Sequence, residues 1–135
     1  MAYVYPKAAQ LQGTALVGSH QCVALLQYYA DLPHTACWRA GALARGNLAL
    51  APGTAIATFV DGRYPNQPHG NHAAFYLEQD AGGLWVMDQW AGDPTLKPLV
   101  SRRRLRWKGC DGGGAFVDPS NNGDAFSVIE RTADA

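Results

Sequence analysis

Residues 18–25 read Gly18-Ser19-His20-Gln21-Cys22-Val23-Ala24-Leu25, two breakers and then the opening of a helical pattern. From about His20 to Asp31 the apolar residues Cys22, Val23, Leu25, Leu26 and Tyr29 recur at spacings of three and four, the period of a helix with one buried face. Ser19 stands where an N-cap belongs, because its hydroxyl can accept from a free first-turn amide, and Pro33 ends the helix. A second, shorter helical stretch is expected around Thr35–Leu43, carrying Trp38 and stopping near Gly46. Everything downstream reads as strand. Thr54–Val60 is β-branched and apolar after the breaker Pro52-Gly53. His72–Glu78 and Leu84–Trp90 flank Gln79-Asp80-Ala81-Gly82-Gly83, the spacing of a hairpin. Pro98–Trp107 and Ala125–Glu130 complete the set, with a Gly/Asn-rich stretch at 109–124 between them. Helices first and consecutive strands after predict an α+β fold with N-terminal helices packed on a mostly antiparallel sheet.

The chain has 135 residues, which predicts one domain, 1–135, large enough to bury a core without staples. Lys plus Arg equals Asp plus Glu at 11 each, so nothing draws the molecule as a whole to nucleic acid or to an anionic membrane. No apolar run reaches the length that spans a bilayer, so no membrane insertion is expected. The N-terminal residues Met1-Ala2-Tyr3-Val4-Tyr5-Pro6-Lys7 lack the basic and apolar regions of a signal peptide, so synthesis in the cytoplasm is expected. The cysteines are Cys22, Cys37 and Cys110, with no CxxC pair to suggest a zinc knuckle. A Cys37–Cys110 bridge is open on sequence alone.

Three segments carry chemistry. Cys22 lies in the first turn of its helix, where unpaired amides and the positive end of the helix dipole favour thiolate over thiol. Its own amide points where a tetrahedral oxyanion would form. Gly70-Asn71-His72-Ala73-Ala74 places a histidine at the start of a strand, free to face the end of a neighbouring helix and to act as base and then acid. Val86-Met87-Asp88-Gln89-Trp90 ends the partner strand, so Asp88 falls beside His72 across the hairpin and can orient the imidazole. Gln89 is an alternative orienting group, but alternation sends it to the other face. The candidate catalytic set is Cys22, His72 and Asp88. Ser19, Gln21, Asn71, Gln89 and Trp90 are the candidates for contacting substrate, and Trp85 and Trp90 read as part core, part cleft wall. No cofactor and no metal are expected.

The order of a cysteine at a helix start, a histidine at a strand start and a polar residue on the next strand resembles the NlpC/P60 and CHAP domains, compact papain-like amidases. The segments Gln21–Leu25, Gly70–Ala74 and Val86–Trp90 look most like the small amidase effectors of bacterial type VI secretion. The resemblance in order runs from Ser19 to Trp90. It implies a papain-like fold of NlpC/P60 type and cleavage of an amide bond in peptidoglycan, within a stem peptide or across a crosslink. It also implies action in the periplasm of a target bacterium after secretion, and a cognate immunity protein. The third position of the triad varies in that wider clan, so the resemblance transfers Cys22 and His72 more directly than Asp88.

Plainer readings stand beside these. Cysteine is among the most buried residue types, and a lone helical cysteine belongs to the core more often than to a catalytic centre. His20 is a rival base by proximity, but residues two apart on a helix do not face each other. His34 and His69 read as surface or loop residues. The basic strand with Arg102, Arg103, Arg104 and Arg106 reads as a solvated face or a guard on a sheet edge, with an acidic immunity protein or substrate carboxylates as further contacts. Two other functions remain open on sequence: a papain-like deamidase or transglutaminase acting on protein side chains, and a non-enzymatic binding module, with Cys22, His20 and His72 around a metal as one form.

Overall fold

A computed structural model describes residues 2–131. The Cys22 segment forms one α-helix, α1, over Cys22–Ala30, which Asp31 ends in the left-handed conformation. The strands are β1 (Trp38–Leu43), β2 (Ala55–Thr58), β3 (Ala73–Asp80), β4 (Gly83–Asp88), β5 (Ser101–Arg106) and β6 (Phe126–Arg131). They form one six-stranded sheet in the order β1-β6-β2-β3-β4-β5, and every neighbouring pair is antiparallel.

The sheet is covered on both sides, which is why β2 is buried at every position rather than at every second one. On one face Leu25 and Leu26 of α1 pack with Trp38, Ala57, Phe75, Met87 and Ile129. On the other, Ile56, Ala74, Tyr76, Leu84, Val86, Leu105 and Phe126 meet Leu50, Trp107 and Phe116 from the long connections. The alternation of Phe75 and Met87 against Ala74 and Val86 is the period of two that pleating imposes.

Two expectations need correction. Thr35–Leu43 is not helical: a 3-10 turn over Thr35–Cys37 runs straight into β1. Trp38 is fully buried with its Nε1–H donated to the Pro33 carbonyl, and the strand pairs with β6, the last one in the chain. That pairing spans some ninety residues of sequence, so no local pattern announces it, and tertiary contact overrides weak helical periodicity. Second, Ser19 does not cap α1. The N-cap is Gln21, in extended conformation, and the Ser19 hydroxyl instead accepts from the Gln21 amide at 3.3 Å. The helix consequently begins on Cys22 itself. Pairing also trims the basic strand to Ser101–Arg106, since Pro98 has no amide to give a ladder.

Cys37 and Cys110 are both free thiols, so the bridge left open on sequence does not form. Among the described residues no helix is long and apolar enough to cross a membrane.

Candidate active site

Three elements meet at one end of the sheet. Cys22 is the first residue of α1, so its N–H is one of the helix's free amides. The turn ahead of it is tied to the sheet by Gln89: Oε1 accepts from Val17 N at 2.9 Å, and Nε2 donates to Val17 O at 3.1 Å and Gln21 O at 2.8 Å. His72 precedes β3 and is locked by exchange with Thr58: its N–H donates to Thr58 Oγ1 at 3.0 Å and its carbonyl accepts from Thr58 N at 3.0 Å. Asp88 closes β4. Since Phe75 pairs with Met87, His72 and Asp88 fall on the same sheet face, and His72 Nε2 lies 2.8 Å from Asp88 Oδ2. With Nε2 committed to Asp88, Nδ1 is the ring nitrogen left for Cys22, whose thiol and the imidazole act on each other's ionisation. Trp90 and Phe126 hold the imidazole edge-on, with ring centroids at 6.3 Å on each.

The electrostatics favour an ion pair. Burial pushes the Cys22 thiol up, but the hydrogen bond and charge of His72, a hydrogen bond from Tyr64 and the Ala73 amide outweigh it and hold the thiol below its usual value. Burial alone would lower His72. The hydrogen bond to Asp88, then that to Cys22, and the charges of both raise it from 6.5 to about 9. Asp88 is fully buried, yet His72 and the charges of Arg103 and Lys97 hold its carboxyl well below the ordinary carboxylate range. The arrangement therefore favours thiolate, imidazolium and carboxylate in a row.

Sequence reasoning passed over three residues here. Tyr64 Oη sits 3.7 Å from Cys22 Sγ and accepts from Asn71 Nδ2 at 3.1 Å, which leaves its own proton free to point at the sulfur. Burial and the neighbouring Cys22 raise its pKa, so it stays a phenol. Lys97 Nζ is 2.7 Å from Asp88 Oδ1, outside hydrogen-bond geometry and so a contact of charges. Arg103 reaches Asp88 Oδ2 through Nε and Nη2, each at 3.0 Å. Arg103 had a signal, since alternation turns it to the face opposite its neighbours. Tyr64 and Lys97 lie in loops and had none. The solvated-face reading thus fails for Arg103. It suits Arg102 and Arg104, which lie over the Trp85 ring on the edge strand, within reach of Glu78 and Asp80.

A cleft of about 260 Å³ opens on the pair, walled by Gln21, Cys22, Tyr64, Asn71, His72 and Trp90 among others. A second hollow of about 420 Å³ continues past His72 and Trp90 towards Arg103, Asp118 and Asn121. Gln21, Asn71 and Trp90 therefore face the space a substrate would use. Ser19 and Gln89 do not: the Ser19 hydroxyl is turned onto its own loop, and Gln89 is wholly buried with its amide saturated by backbone. His20 is exposed in a turn and His34 accepts from Ala36 N, so neither joins the pair. Among the described residues no group of three or more His, Cys, Asp or Glu is placed to hold a metal ion.

A cysteine at a helix start, an imidazole that shares its ionisation and a buried carboxylate behind the imidazole match the layout a cysteine hydrolase needs. Comparison with known proteins narrows the class. The family model of domesticated amidase effector 2 (Dae2) matches residues 2–129. A type VI secretion amidase effector 2 protein from Salmonella typhi is 49% identical over 135 residues, covering 96% of this chain and all of its own. Domesticated amidase effector 2 from Ixodes scapularis is 33% identical over 125 residues, 88% of this chain and 78% of its own. The solved structure of a type 6 secretion amidase effector 2 (Tae2) superposes with a TM-score of 0.89 at 47% identity, over 96% of this chain and 95% of that one. The chain belongs to the domesticated amidase effector 2 family.

Proposed function

We propose that the protein is a cysteine amidase that hydrolyses an amide bond in peptidoglycan peptides, an antibacterial type VI secretion effector. Its fold is read as papain-like, of the NlpC/P60–CHAP kind, in a single domain over 1–135. The observation that carries the reading is the Cys22–His72–Asp88 row at the mouth of the cleft, in a chain whose relatives are named amidase effectors. Action in the periplasm of a target bacterium follows from that substrate. So does a cognate immunity protein, because a producing cell has the same kind of wall.

Catalysis runs through a thioester. The Cys22 thiolate adds to the amide carbonyl, and the oxyanion takes hydrogen bonds from the Cys22 N–H and the Tyr64 hydroxyl. The C–N bond breaks as imidazolium passes its Nδ1 proton to the leaving amine. Water then attacks the thioester carbon, His72 takes its proton, and the C–S bond breaks to restore the thiolate. One water is consumed, and one amine and one carboxylate are released. Asn71 serves by fixing the phenol: its Oδ1 accepts from Gln67 N at 2.6 Å, which turns Nδ2 towards Tyr64. Tyr64→Phe is expected to lower kcat by roughly 10²-fold with little change in KM, the cost of one oxyanion donor. Wild-type kcat in the phenylalanine variant removes Tyr64 from the mechanism.

The rate should follow a bell in pH. The acid limb lies below the ordinary thiol range, where the thiolate–imidazolium pair forms. The alkaline limb lies near 9, where His72 loses the proton that the amine needs. A single rise centred on the usual thiol value excludes the ion pair. The function itself is tested by mass spectrometry of crosslinked and uncrosslinked muropeptides after incubation with the protein. Fragments whose masses sum to the substrate plus one water per bond broken, with a new amine and a new carboxyl end, are expected. Intact muropeptides of both kinds after long incubation rule the proposal out.

A further inference from the structure

Asp88 is bound by more charge than an imidazole requires. His72 reaches its Oδ2 from just ahead of β3, Arg103 reaches the same oxygen from β5, and Lys97 faces Oδ1 from the connection between β4 and β5. Lys97 is itself buried, with a side chain only 3% exposed, and donates to Ser101 Oγ at 2.6 Å and Ser101 O at 3.1 Å. A lysine is seldom taken out of water unless an anion meets it. Both cations also lie against the Trp90 ring, Lys97 Nζ at 4.8 Å and Arg103 Cζ at 4.9 Å from its centroid. Behind Arg103, Asn121 accepts from Nη1 at 2.7 Å and donates in turn to Asp118, which pairs with Lys108. His72 also meets Cys22 from α1 and, beyond the sulfur, Tyr64, while Thr58 bonds its backbone.

The formal charges show what the two cations change. With Cys22 as thiolate and His72 as imidazolium, the row of three carries net −1. Lys97 and Arg103 bring it to +1. A buried anionic row would resist forming the thiolate and would bind the imidazolium proton tightly. We propose that Lys97 and Arg103 are positioning residues of the amidase reaction. They hold Asp88 Oδ2 towards His72 Nε2, and by sharing that carboxylate they loosen its grip on the imidazolium, so that His72 gives up its proton to the leaving amine. This rests on the triad reading given above.

The test uses the full chain and two readouts, ¹⁵N NMR titration of the His72 ring and steady-state kinetics on muropeptides. Arg103→Gln removes a charge at a side chain 24% exposed and keeps hydrogen-bonding capacity, so it is the variant expected to fold. Lys97→Met is its buried counterpart, and Arg103→Lys retains the charge. In both neutral variants the pH at which His72 loses its proton should rise by roughly one unit, as loss of a nearby cation requires. Their kcat should fall about tenfold with KM within twofold of wild type, and Arg103→Lys should titrate like wild type. If Lys97→Met does not fold, Arg103→Gln decides alone. A folded neutral variant whose His72 titrates at the wild-type pH, or lower, overturns the clamp. A wild-type His72 that titrates as an isolated imidazole overturns the triad reading instead, and the NMR result stands whether or not muropeptides are cut.

Discussion

Cys22→Ala should lower muropeptide turnover by at least about 10⁴-fold while stability changes by no more than about 1 kcal/mol. In the proposed mechanism the acyl group is carried on the Cys22 sulfur, which alanine cannot replace. Residual rate would come from the cleft and its oxyanion donors acting on water alone. The fold should survive because Cys22 is only half-buried at the first position of α1, where alanine forms helix well. Turnover and denaturant midpoint measured on one preparation separate the two effects. A variant retaining a tenth of wild-type activity would remove Cys22 from the chemistry.

Asp88→Asn should damage both activity and stability. The amide cannot balance the charges that converge on it, so Lys97 is left buried without a counter-ion. Breaking a buried ion pair from one side costs about 3–5 kcal/mol. Turnover should fall by roughly 10³–10⁴-fold, because the amide neither orients the imidazole correctly nor stabilises its charge. The pH dependence of stability carries a matching signature. His72 is raised from 6.5 to about 9 by folding, so its contribution is complete below 6.5 and is lost as pH rises through 9. Asp88 is depressed by folding, so its contribution is present above the unfolded carboxylate value and is lost in acid. Both slopes should flatten in Asp88→Asn. Urea titrations at pH 5, 7 and 10 that superimpose for the two proteins after a constant offset would show that the carboxylate does not anchor the site.

How far the sequence could be read follows from how local each signal is. The helix start at Cys22 is written in eight consecutive residues. The approach of His72 and Asp88 is written in a hairpin, although the register set by the turn at Asp80–Gly83 is shifted by one residue at a bulge between Tyr76 and Glu78 before Phe75 meets Met87, and only that shift brings the two to one face. Those two local facts recover the core of the candidate site. Tyr64, Lys97 and Arg103 enter through loops or an edge strand whose register is settled only when distant segments meet. Gln89 shows the limit from the other side. Alternation correctly turns it away from Asp88, but no pattern shows that its amide fastens the turn that leads to the nucleophile. The strand at Trp38–Leu43 was unreadable for the same reason, as its partner lies at the far end of the chain.

That fastening by Gln89 joins reactivity to the folding of the chain. In the proposed mechanism the thiol at the first residue of α1 is activated by an imidazole just ahead of β3 that a carboxylate at the end of β4 charges, and Gln89, just past β4, holds the helix start in place. Until those segments have come together, Cys22 is an ordinary thiol in an open chain. The nascent or unfolded molecule therefore lacks the activated thiol, and a destabilised variant loses that reactivity together with its structure. In this protein the safety catch is the folding transition itself.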